Sequence, residues 1–166
     1  VADWLDADTE PFFPDGAEDG EYTGRAPPYR AANSFVASAS ELAAVAGMDP
    51  DTYRILRPHV TALPGRTTIN VNTATPAVLQ SLDENLTAAD AERLLMERED
   101  GGFADVTASF SPVVQPEILN TLGESTNYFR LESIVRIGTV RLTMYSLLQR
   151  SPQGNVSPIL RTFGSE

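Results

Sequence analysis

The strongest structural constraint in this sequence is an alternation of period two on both sides of a single glycine. Within 128–137 every second residue is mostly apolar, and the alternation resumes over 140–147. Successive side chains of a strand point to opposite faces, and a glycine-containing two-residue connection suits a tight turn. The pattern predicts a β-hairpin that turns at Gly138-Thr139, with a weaker strand over 159–163. A hairpin this long with one apolar face needs something to cover it.

Residues 38–123 have a different pattern, typical of short helices separated by proline and glycine. Asp49-Pro50 and Thr75-Pro76 each pair a capping side chain with a proline suited to the first helical turn. Thr87 and Asp90 have capping-box spacing before an apolar stripe at helical spacing. Further helices are predicted from Ser38 or Ser40 to Ala46 and over 116–122. This part therefore predicts a small helical subdomain of about five helices.

Composition excludes several kinds of function. The chain has 166 residues, a formal net charge of −11, no cysteine, no lysine and one histidine, His59. Zinc–thiolate sites, disulfides, a P-loop lysine and a multi-histidine metal site are therefore excluded. The negative charge disfavours nucleic acid and anionic membranes as main partners, whereas clustered carboxylates suit calcium.

The first 25 residues hold eight acidic residues and one basic residue, together with prolines, glycines and aromatic side chains. Asp6-x-Asp8-x-Glu10 spaces its carboxylates as calcium loops often do, and Glu18-Asp19 follows. The segment is not an EF-hand, because its sixth and twelfth positions are Pro11 and Ala17. We expect an acidic loop pinned by aromatic residues. The simpler interpretation is a solvated charged loop, and the alternative is a calcium site of another type.

Two other functions have some support in the sequence. The stretch from Ile69 to Phe103 resembles a helix-hairpin-helix unit, which in many proteins binds DNA phosphates through a glycine-rich hairpin. Here Asp83 and Glu84 stand in that hairpin, so a packing or interaction module is favoured over a nucleic-acid-binding one. A calcium-dependent hydrolase is a weaker alternative, since paired acids are present, but His59 is the only candidate base of its type.

Several stretches in a fixed order resemble the minor pseudopilin K family of bacterial type II secretion systems. The resemblance covers the chain from Asp3 to about Arg150. The matching stretches are Asp3-Trp4-Leu5-Asp6-Ala7-Asp8, Gly16-Ala17-Glu18-Asp19, Tyr29-Arg30-Ala31-Ala32-Asn33, Ser40-Glu41-Leu42, Ala62-Leu63-Pro64, Ile69-Asn70-Val71-Asn72-Thr73-Ala74 and Tyr128-Phe129-Arg130-Leu131.

The resemblance implies an α+β fold in which part of a pilin-like antiparallel sheet carries a large all-α insertion of helix-hairpin-helix or SAM-like character. The implied division is an acidic calcium-binding segment over 1–29, the insertion over 30–123, and the closing strands over 124–166. The chain starts without Met, and we expect it to be a piece of a longer chain whose anchor helix lies upstream.

The implied function is a non-enzymatic one. Members of the family sit at the tip of the pseudopilus, assemble with minor pseudopilins I and J, and initiate or cap the pseudopilus for protein export. The implied location is the periplasmic face of the inner membrane of a Gram-negative bacterium. Secreted substrates or the outer-membrane secretin are further expected partners, and nucleic acid is not.

The resemblance also implies a calcium site in the acidic segment. Its carboxylates fall on Asp6, Asp8, Glu18 and Asp19, with Asp3 and Asp15 in reserve. Calcium takes six to eight oxygen ligands, so carbonyl groups or more distant side chains are expected to complete the site. We expect the ion to have a structural role, because it would neutralise a loop that otherwise packs poorly.

Overall fold

A computed structural model describes residues 1–99 and 101–163 of the chain. The chain folds into two compact units: the first is Val1–Pro64, and the second begins at Gly65. The division expected from the sequence, at residues 29 and 123, separates a pilin-like part from an insertion and stays a prediction. The observed combination of helices with an antiparallel sheet confirms the α+β class.

The first unit contains short helices that pack around three buried side chains, Trp4, Tyr22 and Val45. Two one-turn helices lie in the acidic segment, where the sequence predicted only a loop. Proline and glycine limit their length but permit a single turn between them. The helical elements are α1 (Ala2–Leu5), α2 (Asp19–Thr23), a 3-10 helix (Ala39–Ala44), α3 (Pro50–Leu56) and a 3-10 helix (Arg57–His59).

Several helix starts in this unit and the next follow the sequence prediction. Ser38 caps its 3-10 helix in a capping box with Glu41, although that helix ends at Ala44 rather than Ala46. Asp49 accepts hydrogen bonds from the first turn of α3, and Thr75 caps the helix that follows it. The starts at Asp49 and Thr75 were readable because the capping residue and its proline are adjacent in sequence, and the start at Ser38 was readable from its side chain alone.

The second unit begins with a helical part built around an apolar core. Leu79, Leu94 and Phe110 are completely buried there, and the rings of Phe103 and Phe110 meet edge to face with centroids 5.1 Å apart. Its elements are β1 (Ile69–Asn70), α4 (Pro76–Gln80), α5 (Ala88–Glu99), α6 (Val106–Phe110), α7 (Pro116–Leu119) and β2 (Leu122–Gly123).

Two features of this helical part differ from the sequence prediction. The last helix ends at Leu119, and Leu122 belongs instead to β2, which pairs in parallel with β1 through Ile69↔Leu122 and Asn70↔Gly123. Helix α6 was also missed. Elements of two to five residues carry too few positions for a periodic pattern to be read.

Three antiparallel strands complete the second unit in the order β3-β4-β5. The predicted hairpin is confirmed: Ile137 pairs with Val140, and Gly138 has a φ of 60°, which suits the tight turn. The third strand is longer than predicted, and the register shifts between Leu147 and Leu148. The strands are β3 (Tyr128–Ile137), β4 (Val140–Arg150) and β5 (Val156–Phe163).

Candidate metal centre

Asp3 organises the acidic segment from within α1. Its side chain is buried, and its Oδ2 atom accepts hydrogen bonds from the backbone N–H groups of Phe12 (3.1 Å) and Ala17 (2.7 Å). These bonds close the chain between residues 3 and 17 into a loop. A carboxylate that accepts two backbone hydrogen bonds is held in one orientation, so the loop has a fixed shape.

Three carboxylates meet as a result of this closure. One oxygen from each of Asp6, Asp8 and Glu18 lies within 4.8 Å of the others. Asp6 and Asp8 are exposed, whereas Glu18 is only 5% exposed. Neither carboxylate oxygen of Glu18 has a hydrogen-bond partner among the described residues. A buried carboxylate without a partner is costly, and neutralisation by a cation is one physical remedy.

The electrostatics of the three groups point the same way. Burial raises the pKa of Glu18 above its usual value, and the charges of Asp6, Asp3 and Asp8 raise it further. Removal from water and the neighbouring Asp8 and Asp3 also raise the pKa of Asp6. Both shifts mean that the charged forms are disfavoured when the three carboxylates stand together without a cation.

The donor set is that of a hard cation. All three side chains offer carboxylate oxygens, which suit calcium and magnesium rather than zinc or copper. Calcium's irregular coordination, with six to eight oxygens, tolerates a site built from a loop better than the strict octahedron of magnesium does. The residues present therefore fit a calcium ion, with backbone carbonyls or water completing the shell.

The fourth predicted ligand, Asp19, makes other contacts. Its Oδ1 atom accepts a hydrogen bond from the backbone N–H of Ala31 (3.1 Å), and its Oδ2 atom lies 3.4 Å from the guanidinium of Arg30. Of the reserve residues, Asp3 is engaged in closing the loop, and Asp15 is exposed outside the three-carboxylate cluster. The structure thus brings together three of the four predicted ligands.

Asn33 lies beside the cluster and was not singled out as a ligand from the sequence. Its Nδ2 atom donates to the backbone carbonyl of Asp8 (3.0 Å), and its Oδ1 atom is buried without a partner among the described residues. Asn33 has a φ of 44°, a left-handed conformation that asparagine tolerates better than most residues. The only sequence signal was its place in a stretch shared with the family.

Aromatic side chains support the loop from beneath. The rings of Trp4 and Tyr22 meet edge to face with centroids 5.1 Å apart, and Tyr29 packs against both. Tyr22 accepts a hydrogen bond from the N–H of Ala46 (3.2 Å), and Tyr29 donates to the carbonyl of Ala44 (2.8 Å). These contacts join the acidic segment to the 3-10 helix and explain why the loop is held in place.

The helix-hairpin-helix candidate has its polar groups turned inward. In the connection between α4 and α5, Asp83 is buried and accepts hydrogen bonds from the backbone N–H groups of Asn85 and Gln115, each at 3.0 Å. Arg98 donates to the carbonyls of Val71 (3.1 Å) and Ala74 (2.6 Å). These groups stabilise the module itself, which agrees with a packing role rather than with phosphate binding.

His59, the candidate base, lies half-buried at the end of a 3-10 helix and is engaged in an interaction of its own.

Within residues 1–99 and 101–163, no helix combines the length and the apolar character that a membrane crossing requires.

Comparison with known proteins gives a consistent result. Two family models described as type II secretion system protein K match residues 1–65 and 69–124. Type II secretion system protein K of Pseudomonas aeruginosa is 36% identical over 99% of this chain and 50% of its own length. The protein of the same name from Aeromonas hydrophila is 32% identical over 99% of this chain and 53% of its own.

A solved structure extends this likeness to the fold. One chain in the crystal structure of the GspK–GspI–GspJ complex, from the enterotoxigenic Escherichia coli type II secretion system, matches this chain with a TM-score of 0.83 at 31% identity. The match covers 99% of this chain and 61% of that one. The chain spans about half the length of the curated relatives that it matches. The resemblance inferred from the ordered sequence stretches is thereby confirmed, and the chain belongs to the type II secretion system protein K family.

Proposed function

We propose that this chain forms part of a minor pseudopilin at the tip of the type II secretion pseudopilus. In this role it assembles with minor pseudopilins I and J and initiates or caps the pseudopilus for export across the outer membrane. The observation that carries the proposal is the match to the GspK–GspI–GspJ complex, which covers 99% of the chain at a TM-score of 0.83. Likeness at 31% identity over so much of the chain supports a shared role as well as a shared fold.

The proposed role is structural rather than catalytic. The family is a component of secretion machinery, and Asp83 and Arg98, which could have offered chemistry, are used in internal hydrogen bonds. We infer that residues 30–123 are an all-α insertion of helix-hairpin-helix or SAM-like character in a partial pilin-like fold, with the helix-hairpin-helix unit over 69–103. The contacts between α4 and α5 support that inference. Secreted substrates and the outer-membrane secretin are the further partners that such a module would meet.

Calcium completes the proposal for the first unit. Asp6, Asp8 and Glu18 would hold the ion, which supplies positive charge to a buried carboxylate that has no hydrogen-bond partner within residues 1–99 and 101–163. The ion's role would be to stabilise the acidic loop and, through Asp3 and Trp4, the aromatic cluster beneath it. Asp19, Asp3 and Asp15 would contribute through the loop's shape and charge rather than as direct ligands.

The proposed location is the periplasmic face of the inner membrane of a Gram-negative bacterium. The family resemblance supports this location and implies an amino-terminal anchor helix in the full-length protein. The proposed metal agrees with such a compartment, because calcium sites of modest affinity are typical of proteins outside the cytosol.

The direct test of this function is assembly. The chain is mixed with the purified soluble domains of I and J from the same secretion system, in buffer with 2 mM calcium, and analysed by size-exclusion chromatography with light scattering. We expect one complex with one copy of each protein and a mass equal to their sum. Separate elution of the chain from an intact I–J pair would contradict the proposal. Salt-sensitive retention on a DNA column would instead support the nucleic-acid alternative.

A further inference from the structure

The side-chain amide of Asn33 is held in one orientation by the loop that carries the candidate metal site. Its Nδ2 atom donates a hydrogen bond to the backbone carbonyl of Asp8 (3.0 Å), a residue 25 positions earlier in the chain. A carbonyl oxygen can only accept, so the NH2 group of the amide has to face Asp8 and the two ends of the amide cannot be exchanged. The contact therefore also fixes the direction in which the Oδ1 atom of Asn33 points.

This Oδ1 atom belongs to a group of buried acceptors that have no partner. Within residues 1–99 and 101–163, the buried side-chain N and O atoms without a hydrogen bond include three that can only accept one. They are both carboxylate oxygens of Glu18 and Oδ1 of Asn33. Glu18 lies beside Asp8 in the carboxylate cluster, and Asn33 lies beside Asp8 through its hydrogen bond. Unpartnered buried acceptors cost free energy, and here a single cation could satisfy all of them.

The chain itself closes these oxygens off from the surface. Glu18 is only 5% exposed, and Oδ1 of Asn33 is buried. A further stretch of polypeptide, from this protein or from another, therefore cannot reach them unless the loop opens. An ion can, because the cluster oxygens of Asp6, Asp8 and Glu18 lie within 4.8 Å of one another. That spacing is about twice the calcium–oxygen distance of about 2.4 Å, so one ion can bridge them.

Asp19 holds the stretch that leads to Asn33 close to the site. It directly follows Glu18, and its Oδ1 atom accepts a hydrogen bond from the backbone N–H of Ala31 (3.1 Å). Asn33 itself has a φ of 44°, and such conformations of residues other than glycine are concentrated at binding sites. Three parts of the chain therefore meet at one place, and they are residues 6–8, 18–19 and 31–33.

We propose that Oδ1 of Asn33 is a fourth side-chain ligand of the calcium ion, beside Asp6, Asp8 and Glu18. Amide oxygens are usual calcium ligands, and the ion takes six to eight oxygens, more than one from each of three carboxylates. A neutral ligand also adds an oxygen without adding a fourth negative charge to the cluster. The inference rests on the calcium site of the proposed function, and it makes the ion a link between the acidic loop and residues 31–33.

The test compares Asn33→Gly with Asn33→Asp in the full chain. Both variants lose the Nδ2 donor and its hydrogen bond to Asp8, but only Asn33→Gly also loses the oxygen. Glycine adopts a positive φ freely and aspartate tolerates it, so both variants suit the backbone at this position. We expect the Kd for calcium, measured by calorimetry, to rise by about tenfold or more in Asn33→Gly. It should not rise in Asn33→Asp, whose carboxylate keeps an oxygen at the site.

Europium(III), which occupies oxygen-rich calcium sites, gives a direct count of the ligands. The decay of its luminescence in H2O and in D2O measures the number of water molecules bound to the ion. Water fills coordination positions that the protein leaves open, so Asn33→Gly should gain about one bound water and Asn33→Asp should gain none. Ser34→Gly is the matched control, because it introduces glycine at the next, exposed position. It should equal the wild type in both measurements.

The possible results separate the ligand from the site. If Asn33→Gly gains no bound water, Asn33 is not a ligand, whatever the change in Kd, while the calcium site stands. If both variants at position 33 gain one water and lose affinity alike, Asn33 acts only through its hydrogen bond to Asp8, and the proposal is wrong. If the wild type binds neither calcium nor europium, the calcium part of the proposed function is wrong and the role of Asn33 falls with it. Assembly with I and J has its own test and is unaffected by that result.

Discussion

The carboxylate of Asp3 occupies the space beside Gly16 where any other residue would carry its Cβ atom. A Cβ placed on Gly16 would collide with Asp3 Oδ2 and with the backbone of Phe12. The same Asp3 oxygen accepts the hydrogen bonds that close the acidic loop. The close approach of backbone and carboxylate at this point therefore depends on glycine.

Substitution of Gly16 should disturb both the fold and the metal site. We expect Gly16→Ala to destabilise the first unit by about 1–3 kcal/mol, the usual cost of an added group in a tightly packed site. The calcium affinity should fall as well, because Asp6, Asp8 and Glu18 lose their common framework. Thermal unfolding with and without calcium measures both effects. Gly20→Ala is the matched control, because a Cβ there meets no atom within 4 Å. Equal behaviour of the two variants would refute the role given to Gly16.

Calcium should raise the melting temperature of the chain. A ligand at about 100 times its Kd stabilises by about 2.7 kcal/mol, which corresponds to a shift on the order of 5 °C for a domain of this size. The shift should disappear in Asp6→Asn/Asp8→Asn and in Glu18→Gln. It should persist in Asp19→Asn, because Asp19 bonds to Arg30 and Ala31 instead. Loss of the shift in Asp19→Asn would return that residue to the ligand set.

The effect of calcium should also depend on pH. Because the pKa values of Glu18 and Asp6 are raised in the fold, protons bind more tightly to the folded state than to the unfolded one. The metal-free chain therefore gains stability from these groups as the pH falls from neutrality through their raised pKa values, down to ordinary values of 4.5 and 3.8.

Protons and calcium then compete for the same oxygens. We expect the calcium-induced shift in melting temperature to shrink as the pH falls from neutrality through the raised pKa of Glu18 to its ordinary value of 4.5, and Glu18→Gln to show little of this dependence. Melting curves with 2 mM calcium or with chelator, at half-unit steps of pH, provide the measurement. A shift of constant size across that range would show that Glu18 is not a ligand.

The stabilisation of the second unit by Asp83 should also depend on pH. It should weaken as the pH falls, whereas the stabilisation by Glu18 and Asp6 in the metal-free chain grows. Its hydrogen bonds from Asn85 and Gln115 hold the pKa of Asp83 below its usual value of 3.8. The stability that ionised Asp83 gives the fold is therefore complete above pH 3.8 and is lost as the pH falls through the lowered pKa of Asp83. We expect Asp83→Asn to lower the melting temperature at pH 7 by several degrees, with a smaller difference from the wild type below pH 3.8.

A neighbouring acid supplies the control for this prediction. Glu84 is exposed in the same connection between α4 and α5, so Glu84→Gln should leave the melting temperature unchanged to within about one degree. If Asp83→Asn and Glu84→Gln behave alike, Asp83 is only a turn residue and does not join the two parts of the module.

The sequence predicted those elements whose signals are local. The hairpin was readable because alternation and Gly138 lie in one continuous stretch, and α4 was readable because Thr75 and its proline are adjacent. The pairing of Ile69 with Leu122 was not readable from the sequence, because the two residues are 53 positions apart and neither lies in a strand-like pattern. A pair of two-residue strands is defined by its partner rather than by its composition.

The candidate metal site shows the same limit. Spacing in the sequence singled out Asp6 and Asp8, but the burial of Glu18 and the engagement of Asp19 by Arg30 depend on how the loop closes. That closure rests on Asp3, which the sequence offered only as a reserve ligand. One-dimensional spacing identifies acids in a loop, whereas the choice among them depends on contacts between residues 3, 12 and 17.

The parallel pairing of Ile69 with Leu122 has an architectural consequence. Paired strands lie about 4.8 Å apart, so the chain enters and leaves the helical module at almost the same point. A segment with such neighbouring ends behaves as a cassette: it can be lengthened, exchanged or excised with little displacement of the chain on either side. The strand pair thus brings the two ends of the module side by side, and we expect changes of length within the module to leave the register of the following sheet unchanged.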